Sequence, residues 1–306
     1  MDWLTLGCRE RNGIVKSGGD ILPGGLQRFE ARLTDRDFER FSKLVYEQCG
    51  IKLPGHKQSM LEARLRKRLR ALGLASFEEY AELIFSGRGP EGELVRLIDV
   101  VTTNKTDFFR EPAHFDFLTR TALPALLEQF GTGIDRPLRV WSAGCSTGKE
   151  PYTLAMVLSE FREQVPGYRF EILGTDISTD VLDKAVQGVY AEEKAAPIAP
   201  ALRRKYLLKA KDPESRKVRI VPELRSLVTF RRLNFMDADY GLREPFDVIF
   251  CRNVLIYFDR TTQERLLGRF AGYLESGRFL FLGHSETLLG LSLPLRQMAP
   301  SVYRKI

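Results

Sequence analysis

Two glycines stand where a short apolar run gives way to a helical pattern. The run ends at Trp141, small residues occupy 142–148, and apolar residues recur at helical spacing from Pro151 onward. This order predicts a strand, a tight turn and a helix. Gly144 and Gly148 permit positive φ or close backbone approach, so a ligand can lie against the chain at the carboxyl end of the strand.

The residues after the turn restrict the kind of ligand. The glycine spacing lacks the third glycine of the dinucleotide fingerprint. It is also one residue short for a phosphate-binding loop, and Glu150 stands where a Ser or Thr would hold magnesium. A carboxylate there disfavours a triphosphate and suits a hydroxylated or cationic ligand. Taken alone, the stretch is equally compatible with an ordinary strand-to-helix turn.

Polar residues also end three further apolar runs that predict strands, namely Asp176, Asn234 and Asn253. Strands that alternate with helices favour a parallel sheet, whose strand carboxyl ends meet along one edge. Together with Gly144, these residues are expected to line one crevice. Asp176 there suits ribose hydroxyls, and it is also placed to cap the helix from Thr179. An adenosine-type cofactor with a sulfonium fits this description, although the spacing does not exclude NAD.

The composition is that of a globular protein. The chain has 306 residues, 43% hydrophobic and 28% charged, enough for two domains or for one large α/β domain with a helical appendage. No apolar run approaches the roughly 18 residues of a membrane span, so we expect no membrane insertion. Residues 1–33 are interpreted as a mobile extension rather than a signal peptide, which predicts a cytoplasmic protein. We expect a monomer.

Cysteines and histidines are scattered along the sequence, which predicts neither disulfides nor a metal site; they are Cys8, Cys49, Cys145, Cys251, His56, His114 and His284. The net charge of +7 instead predicts an acidic partner, either nucleic acid or an acidic protein surface.

The chain from Thr34 to about Leu97 has helical periodicity throughout. Its second helix, about Lys57 to Leu72, carries six cations and one carboxylate. One interpretation is a solvated face, and the other is a docking face for a polyanionic or glutamate-rich helical partner. The residues expected to form that docking face are Arg64, Arg66, Lys67, Arg68 and Arg70.

Short strands replace helices between Ala201 and Thr229. Two runs, starting at Tyr206 and Lys217, are separated by turn residues and predict a small β-hairpin inserted into the larger domain. The last residues, Ser301–Lys305, are interpreted as an edge strand of the main sheet.

Five segments complete the pattern: Thr103–Glu111, Trp141–Tyr152, Thr175–Ile177, Phe250–Phe258 and Gly283–Glu286. In order and spacing they resemble the chemotaxis receptor methyltransferases (the CheR family), over roughly Leu33 to Ile306. The resemblance implies an α/β fold: a Rossmann-like, S-adenosylmethionine-dependent methyltransferase domain with a mainly parallel sheet at 138–306. It also implies a helical N-terminal domain at 34–101, a linker and helix at 102–137, and a small antiparallel β insertion at about 201–229.

The resemblance further implies a reaction and a partner. A methyl group would pass from S-adenosyl-L-methionine to glutamate side chains on the cytoplasmic helices of a chemoreceptor. The products would be the γ-methyl ester and S-adenosyl-L-homocysteine, in chemotactic adaptation or related chemosensory signalling. The basic helix would face the acidic receptor bundle. The β insertion is a candidate site for a receptor tail, although its turn, 210–217, contains no glycine.

Carried over position by position, the family's cofactor contacts and the glycine turn give a set of expected binding residues: Asn104, Thr106, Arg110, Gly144, Glu150, Asp176, Asn234, Phe235, Arg252 and Asn253. Asp176 is expected at the ribose. Asn234 and Phe235 are expected at the adenine end, and Arg252 and Asn253 near the methionine.

Arg110 and Tyr257 are expected to orient the substrate carboxylate. A glutamate, with an unperturbed pKa of about 4.3, is already ionised near neutral pH and needs no general base. Alignment of the reacting atoms can supply about 7–11 kcal/mol of barrier reduction. Glu150 is expected to face the cationic cofactor. The family more often has an acidic residue where Lys149 stands, and we expect this departure to matter little.

Two alternatives remain open. A nucleic-acid methyltransferase would use the basic helix to grip phosphates and would bind with a steep salt dependence, but the sequence shows no interleaving of aromatic and basic residues. A non-catalytic cofactor sensor would bind without transfer, and the presence of Arg110 and Tyr257 argues against it.

Overall fold

A computed structural model describes residues 32–288 and 290–306. The predicted N-terminal extension therefore lies outside the described residues except for Arg32 and Leu33. Leu33 is buried, and its backbone N–H donates to the Glu62 carboxylate at 3.0 Å. Among the helices within the described ranges, none is long and apolar enough to cross a bilayer.

The described chain begins with four helices, α1 (Asp35–Cys49), α2 (Gln58–Leu72), α3 (Phe77–Phe85) and α4 (Glu93–Val101). Thr34 caps α1 by accepting the N–H of Asp37 at 3.1 Å, and the helix ends at Gly50 with φ 71°. Apolar stripes from all four helices form one buried cluster that includes Phe41 and Leu65. The helical prediction for this region is confirmed.

A broken helix connects these helices to the sheet. It consists of α5 (Ala113–Phe117), a π-helical turn at Leu118–Ala122, and α6 (Leu123–Phe130). The apolar residues Phe115, Leu118 and Leu123 are buried against the sheet.

Strands and helices then alternate in chain order: β1 (Leu138–Ala143), α7 (Lys149–Gln164), β2 (Phe170–Asp176), α8 (Thr179–Gln187), β3 (Val189–Ala191), α9 (Pro200–Tyr206), β4 (Leu207–Lys209), β5 (Lys217–Ile220), α10 (Pro222–Arg225), β6 (Val228–Arg232), β7 (Phe246–Cys251), α11 (Arg260–Gly272), β8 (Leu274–Leu282), β9 (Leu295–Ala299) and β10 (Val302–Lys305). The main sheet has the order β6-β2-β1-β7-β8-β10-β9. Its first five strands are parallel, and β10 and β9 run antiparallel to their neighbours.

Two predictions about strands need correction. The insertion is a three-stranded sheet of order β3-β5-β4 rather than a hairpin, so it starts near residue 189, and β6 belongs to the main sheet. A strand as short as β3 has too few residues to show alternation. Likewise β10 is not the edge strand, because β9 pairs with its outer side.

The strand order places the predicted crevice. β1 lies between β2 and β7 in the sheet. The strand–helix units on its two sides run in opposite directions across the sheet, so their loops diverge at the carboxyl end of β1. Trp141 anchors this centre, because it is fully buried and its Nε1 donates to Thr175 Oγ1 at 2.9 Å.

Candidate active site

One cavity opens at the carboxyl ends of the parallel strands, with about 1230 Å³ of empty space including the solvent at its mouth. The ends of α1 and α2 form part of its wall, through residues such as Cys49 and Met60. Its lining also includes all ten residues expected at the cofactor and, in addition, Tyr257. The structure therefore brings the expected residues together, while the part of the cofactor or substrate that each residue contacts stays a prediction.

Close packing explains the glycine turn. Gly144 has φ 81°, and a Cβ placed on it would lie 2.5 Å from Val254 Cγ2. Gly148 has φ 82°, and its Cβ would lie 2.8 Å from Ala185 Cβ. Both positions therefore need glycine for conformation and for space.

Asp176 fastens this turn to the end of β2. Its carboxylate accepts the backbone N–H of Ser146 at 2.8 Å and that of Ser178 at 3.0 Å. Burial raises the pKa of Asp176, and these N–H groups oppose the shift. The capping interpretation of Asp176 is wrong, because Ser178 is the N-cap residue of α8 and the backbone N–H of Thr179 donates to Asp99 Oδ1 at 2.9 Å. Asp176 does lie in the cavity wall.

A buried arginine lies between two carboxylates. The Arg252 side chain is 1% exposed, with Nη2 at 3.2 Å from Glu111 Oε2 and Nη1 at 3.3 Å from Glu150 Oε2. Glu150 also accepts the Ser142 hydroxyl at 2.8 Å. Burial raises the pKa of Glu150, and Arg252 opposes that shift. Glu150 is therefore not a free anion, but two carboxylates around one guanidinium still leave this wall suited to a cation.

Glu286 and Glu111, which the sequence did not single out, hold residues of the cavity wall in place. Glu286 is buried and accepts the backbone N–H groups of Asn253, Val254 and Leu255 at 2.8–2.9 Å. Glu111 Oε1 accepts Asn253 Nδ2 at 3.3 Å. Both glutamates lie within the matching segments Gly283–Glu286 and Thr103–Glu111, which was the available signal.

The linker after α4 is attached to the glycine turn. Ser146 Oγ donates to the Asn104 carbonyl at 3.0 Å, and Lys149 Nζ donates to the Thr106 carbonyl at 2.8 Å. Lys149 is buried, and burial lowers its pKa. The residue expected to matter little thus has a structural role in this chain, since it joins the start of α7 to the linker.

The two residues expected to orient the substrate differ in how firmly they are held. Arg110 is 36% exposed, and its Nη1 donates to the Lys105 carbonyl at 3.4 Å, a long hydrogen bond. Tyr257 ends a 3₁₀ turn, Leu255–Tyr257, and its backbone carbonyl accepts the N–H of Lys52 at 2.9 Å. The Arg110 Nε also lies 4.0 Å from Glu111 Oε1, so this guanidinium has only long contacts with the protein, while the backbone of Tyr257 is fixed.

The residues expected at the adenine end join the two parts of the molecule. Asn234 Nδ2 donates to the Gln48 carbonyl at the end of α1, at 2.6 Å. Phe235 is buried and meets Phe270 edge to face, with ring centroids 5.5 Å apart. The cavity wall near them is therefore an interdomain wall.

The basic face of α2 is smaller than predicted. Arg64 donates to the Val101 and Thr102 carbonyls and to Thr103 Oγ1, and Arg68 forms an ion pair with buried Glu93 at 2.7 Å. Both guanidinium groups are used inside the protein, so placing them on an outward docking face was wrong.

Three cations of the expected set remain. Arg66 pairs with Glu62 at 2.7 Å, and Lys67 and Arg70 are exposed. Helical periodicity could not show these differences, because the partners come from α4 and the linker.

Comparisons with known proteins agree with this architecture. The family model described as the CheR methyltransferase all-alpha domain matches residues 36–102. The model described as the CheR methyltransferase SAM binding domain matches residues 104–303.

Curated relatives cover almost the whole chain. A chemotaxis protein methyltransferase of Borreliella burgdorferi is 39% identical over 274 residues, 89% of this chain and 95% of the relative. The chemotaxis protein methyltransferase of Escherichia coli is 40% identical over 271 residues, 89% of this chain and 91% of the relative. Both family models, the relatives and the cavity agree, and the chain therefore belongs to the CheR family of S-adenosylmethionine-dependent chemotaxis protein methyltransferases.

Proposed function

We propose that this chain methylates glutamate side chains on the cytoplasmic helices of a chemoreceptor, with S-adenosyl-L-methionine as donor. The observation that carries the proposal is the meeting of the expected cofactor residues, Arg110 and Tyr257 in one cavity that opens to solvent. Glutamate γ-methyl ester and S-adenosyl-L-homocysteine are the products.

The residues of the cavity fit this cofactor. Asp176 offers a buried carboxylate in the wall, suited to ribose hydroxyls, and Gly144 leaves the turn without a side chain. Asn234 and Phe235 would hold the adenine end, and Arg252 the carboxylate of the methionine part. Bound S-adenosyl-L-methionine supplies an electrophilic methyl group on a sulfonium.

The protein's own contribution is binding, orientation and exclusion of water. The substrate glutamate arrives ionised, so no side chain has to remove a proton. Arg110, whose side chain is partly exposed, orients that carboxylate, and Tyr257, which also lines the cavity, supports it. Because Arg110 is 36% exposed, water weakens its attraction for the ground-state carboxylate. Arg110 can then orient the substrate carboxylate without stabilising it strongly in the ground state.

The same proposal names a docking surface. Lys67 and Arg70 on α2 are exposed, and Lys52 and Lys57 are exposed at the cavity rim. These four exposed cations attract an acidic receptor bundle. The protein would act in the cytoplasm. Binding of a receptor tail to β3-β5-β4, a monomeric state and the domain limits at 34–101, 102–137 and 138–306 stay predictions.

Transfer to a receptor fragment tests the function. The full-length chain is incubated with methyl-labelled S-adenosyl-L-methionine and a chemoreceptor cytoplasmic fragment, and Arg110→Met serves as the matched inactive variant. Base-labile label on the fragment, absent with the variant, is the expected result. Label on added RNA or DNA would support a nucleic-acid methyltransferase instead. Cofactor binding with no label on any acceptor would favour a sensor.

A further inference from the structure

Three side chains that could hold a metal ion meet beside the cavity. Glu111 lies in the linker, His114 on α5, and His284 directly after β8. One ligand atom from each lies within 4.8 Å of the other two. From this geometry we propose that Glu111, His114 and His284 bind one divalent transition-metal ion of the zinc type. The scattered sequence positions predicted no such site, but the fold brings two of the three histidines together.

Two of the three ligand-atom separations are close to those of tetrahedral coordination, and the two imidazole nitrogens lie within 4.8 Å of each other. Bond lengths of about 2.0–2.2 Å at tetrahedral angles separate neighbouring ligand atoms by about 3.3–3.5 Å. His114 Nδ1 lies 3.4 Å from Glu111 Oε2, and His284 Nε2 lies 3.9 Å from the same oxygen. The second distance has to shorten by a few tenths of an ångström. His284 has room to do this, because its side chain is 54% exposed.

A metal ion would give the buried ring of His114 a partner. Its side chain is 2% exposed, and neither ring nitrogen meets a partner in hydrogen-bond geometry among the residues that the structure describes. Buried polar groups normally have partners. A neutral imidazole is the form that coordinates metal.

Occupancy of this site has a consequence for the cofactor. Glu111 Oε2 faces both imidazoles and is also the oxygen 3.2 Å from Arg252 Nη2. A metal ion and Arg252 therefore compete for one oxygen atom, and their like charges oppose each other. Metal binding should release Arg252 from this wall and weaken cofactor binding.

Calorimetry tests the site directly. Full-length protein, stripped with EDTA and desalted, is titrated with zinc chloride near pH 7.5, and one zinc per chain is expected. His284→Ala should weaken zinc binding at least tenfold. Because the His284 side chain is 54% exposed, the substitution should leave the fold intact. His56→Ala is the matched control, since His56 is also exposed but lies outside the cluster. Cys8→Ser tests whether the one cysteine outside the described residues binds zinc. Both controls should bind like the parent protein.

Two results would overturn the proposal. One is the lack of binding to the parent protein at 100-fold excess over protein, and the other is equal binding by His284→Ala. Cobalt gives a second readout, because a four-coordinate site shows visible d–d absorption that His284→Ala should lose.

Cofactor titration with and without zinc tests the coupling. The dissociation constant of S-adenosyl-L-methionine should rise in the parent protein and stay constant in His284→Ala. An unchanged constant in zinc-loaded parent protein would exclude competition at Arg252. None of these measurements needs methyl transfer, so they stand or fail apart from the proposed substrate.

Discussion

The carboxylate of Glu286 holds the backbone of Asn253 in place. Glu286 Oε2 accepts the Asn253 N–H at 2.9 Å and the Gly283 N–H at 2.6 Å, while Asn253 has φ 59°, in the left-handed region. Strained backbone of this kind persists only where its surroundings determine it. The turn that leads from Asn253 to Tyr257 is therefore set by one side chain from the loop after β8, the strand next to β7 in the sheet.

Glu286→Gln should disturb this turn. An amide offers one acceptor oxygen instead of two and directs its NH₂ group toward backbone donors. Hydrogen bonds to charged groups contribute about 1.5–3 kcal/mol, so we expect cofactor affinity to fall about tenfold or more. Calorimetric titration with S-adenosyl-L-methionine measures this. Glu264→Gln, at an exposed position on α11, is the control. Equal affinity of the two variants would show that Asn253 does not depend on Glu286.

Arg110→Met should slow transfer much more than it weakens cofactor binding. Loss of one positioned charged donor typically costs about 10²–10³ in kcat. Most of the cofactor wall, including buried Asp176 and Arg252, stays intact. Initial rates with a receptor fragment and a separate cofactor titration check both parts. Arg120→Met, at an exposed position, should behave like the parent protein. A variant with parental kcat would remove Arg110 from the proposed mechanism.

Charge reversal on α2 should separate docking from folding. Lys67→Glu with Arg70→Glu should raise the KM for receptor several-fold and leave the melting temperature unchanged, because both residues are exposed. Arg68→Glu should instead unfold more easily, by about 3–5 kcal/mol, because Glu93 is buried and loses its closest partner. Receptor titrations and denaturant melts measure the two effects. Parental KM in the double variant would contradict the docking surface.

Buried thiols should be unreactive in the native protein. Burial raises the pKa of Cys49 to about 11 and those of Cys145 and Cys251 well above their ordinary value. A raised pKa means less thiolate at a given pH, and the thiolate is the reactive form. At pH 9, a thiol with a pKa of about 11 is only about 1% ionised.

A disulfide reagent measures this in a Cys8→Ser variant. We expect almost no reaction at pH 8–9 and three reactive thiols after unfolding in guanidinium. Fast reaction of any thiol in the native variant would show that its burial is incomplete.

The sequence by itself determined the fold class and four residues of the crevice, Gly144, Asp176, Asn234 and Asn253. Its resemblance to a known family added the family and the other expected residues at the cavity. Helical and strand periods are local properties, and the ends of parallel strands meet wherever such a sheet forms. Gly144, Asp176 and Asn253 were therefore placed correctly without any knowledge of contacts.

Partners that come from distant parts of the chain were decided only by the tertiary structure. Arg64 and Arg68 appeared to belong to a solvent-exposed basic face, but α4 and the linker supply their acceptors. His114 and His284 are 170 positions apart in sequence, yet their ring centroids lie 5.0 Å apart. The physical reason is that periodicity fixes the direction of a side chain relative to its own element. The group that it meets depends on how the elements pack.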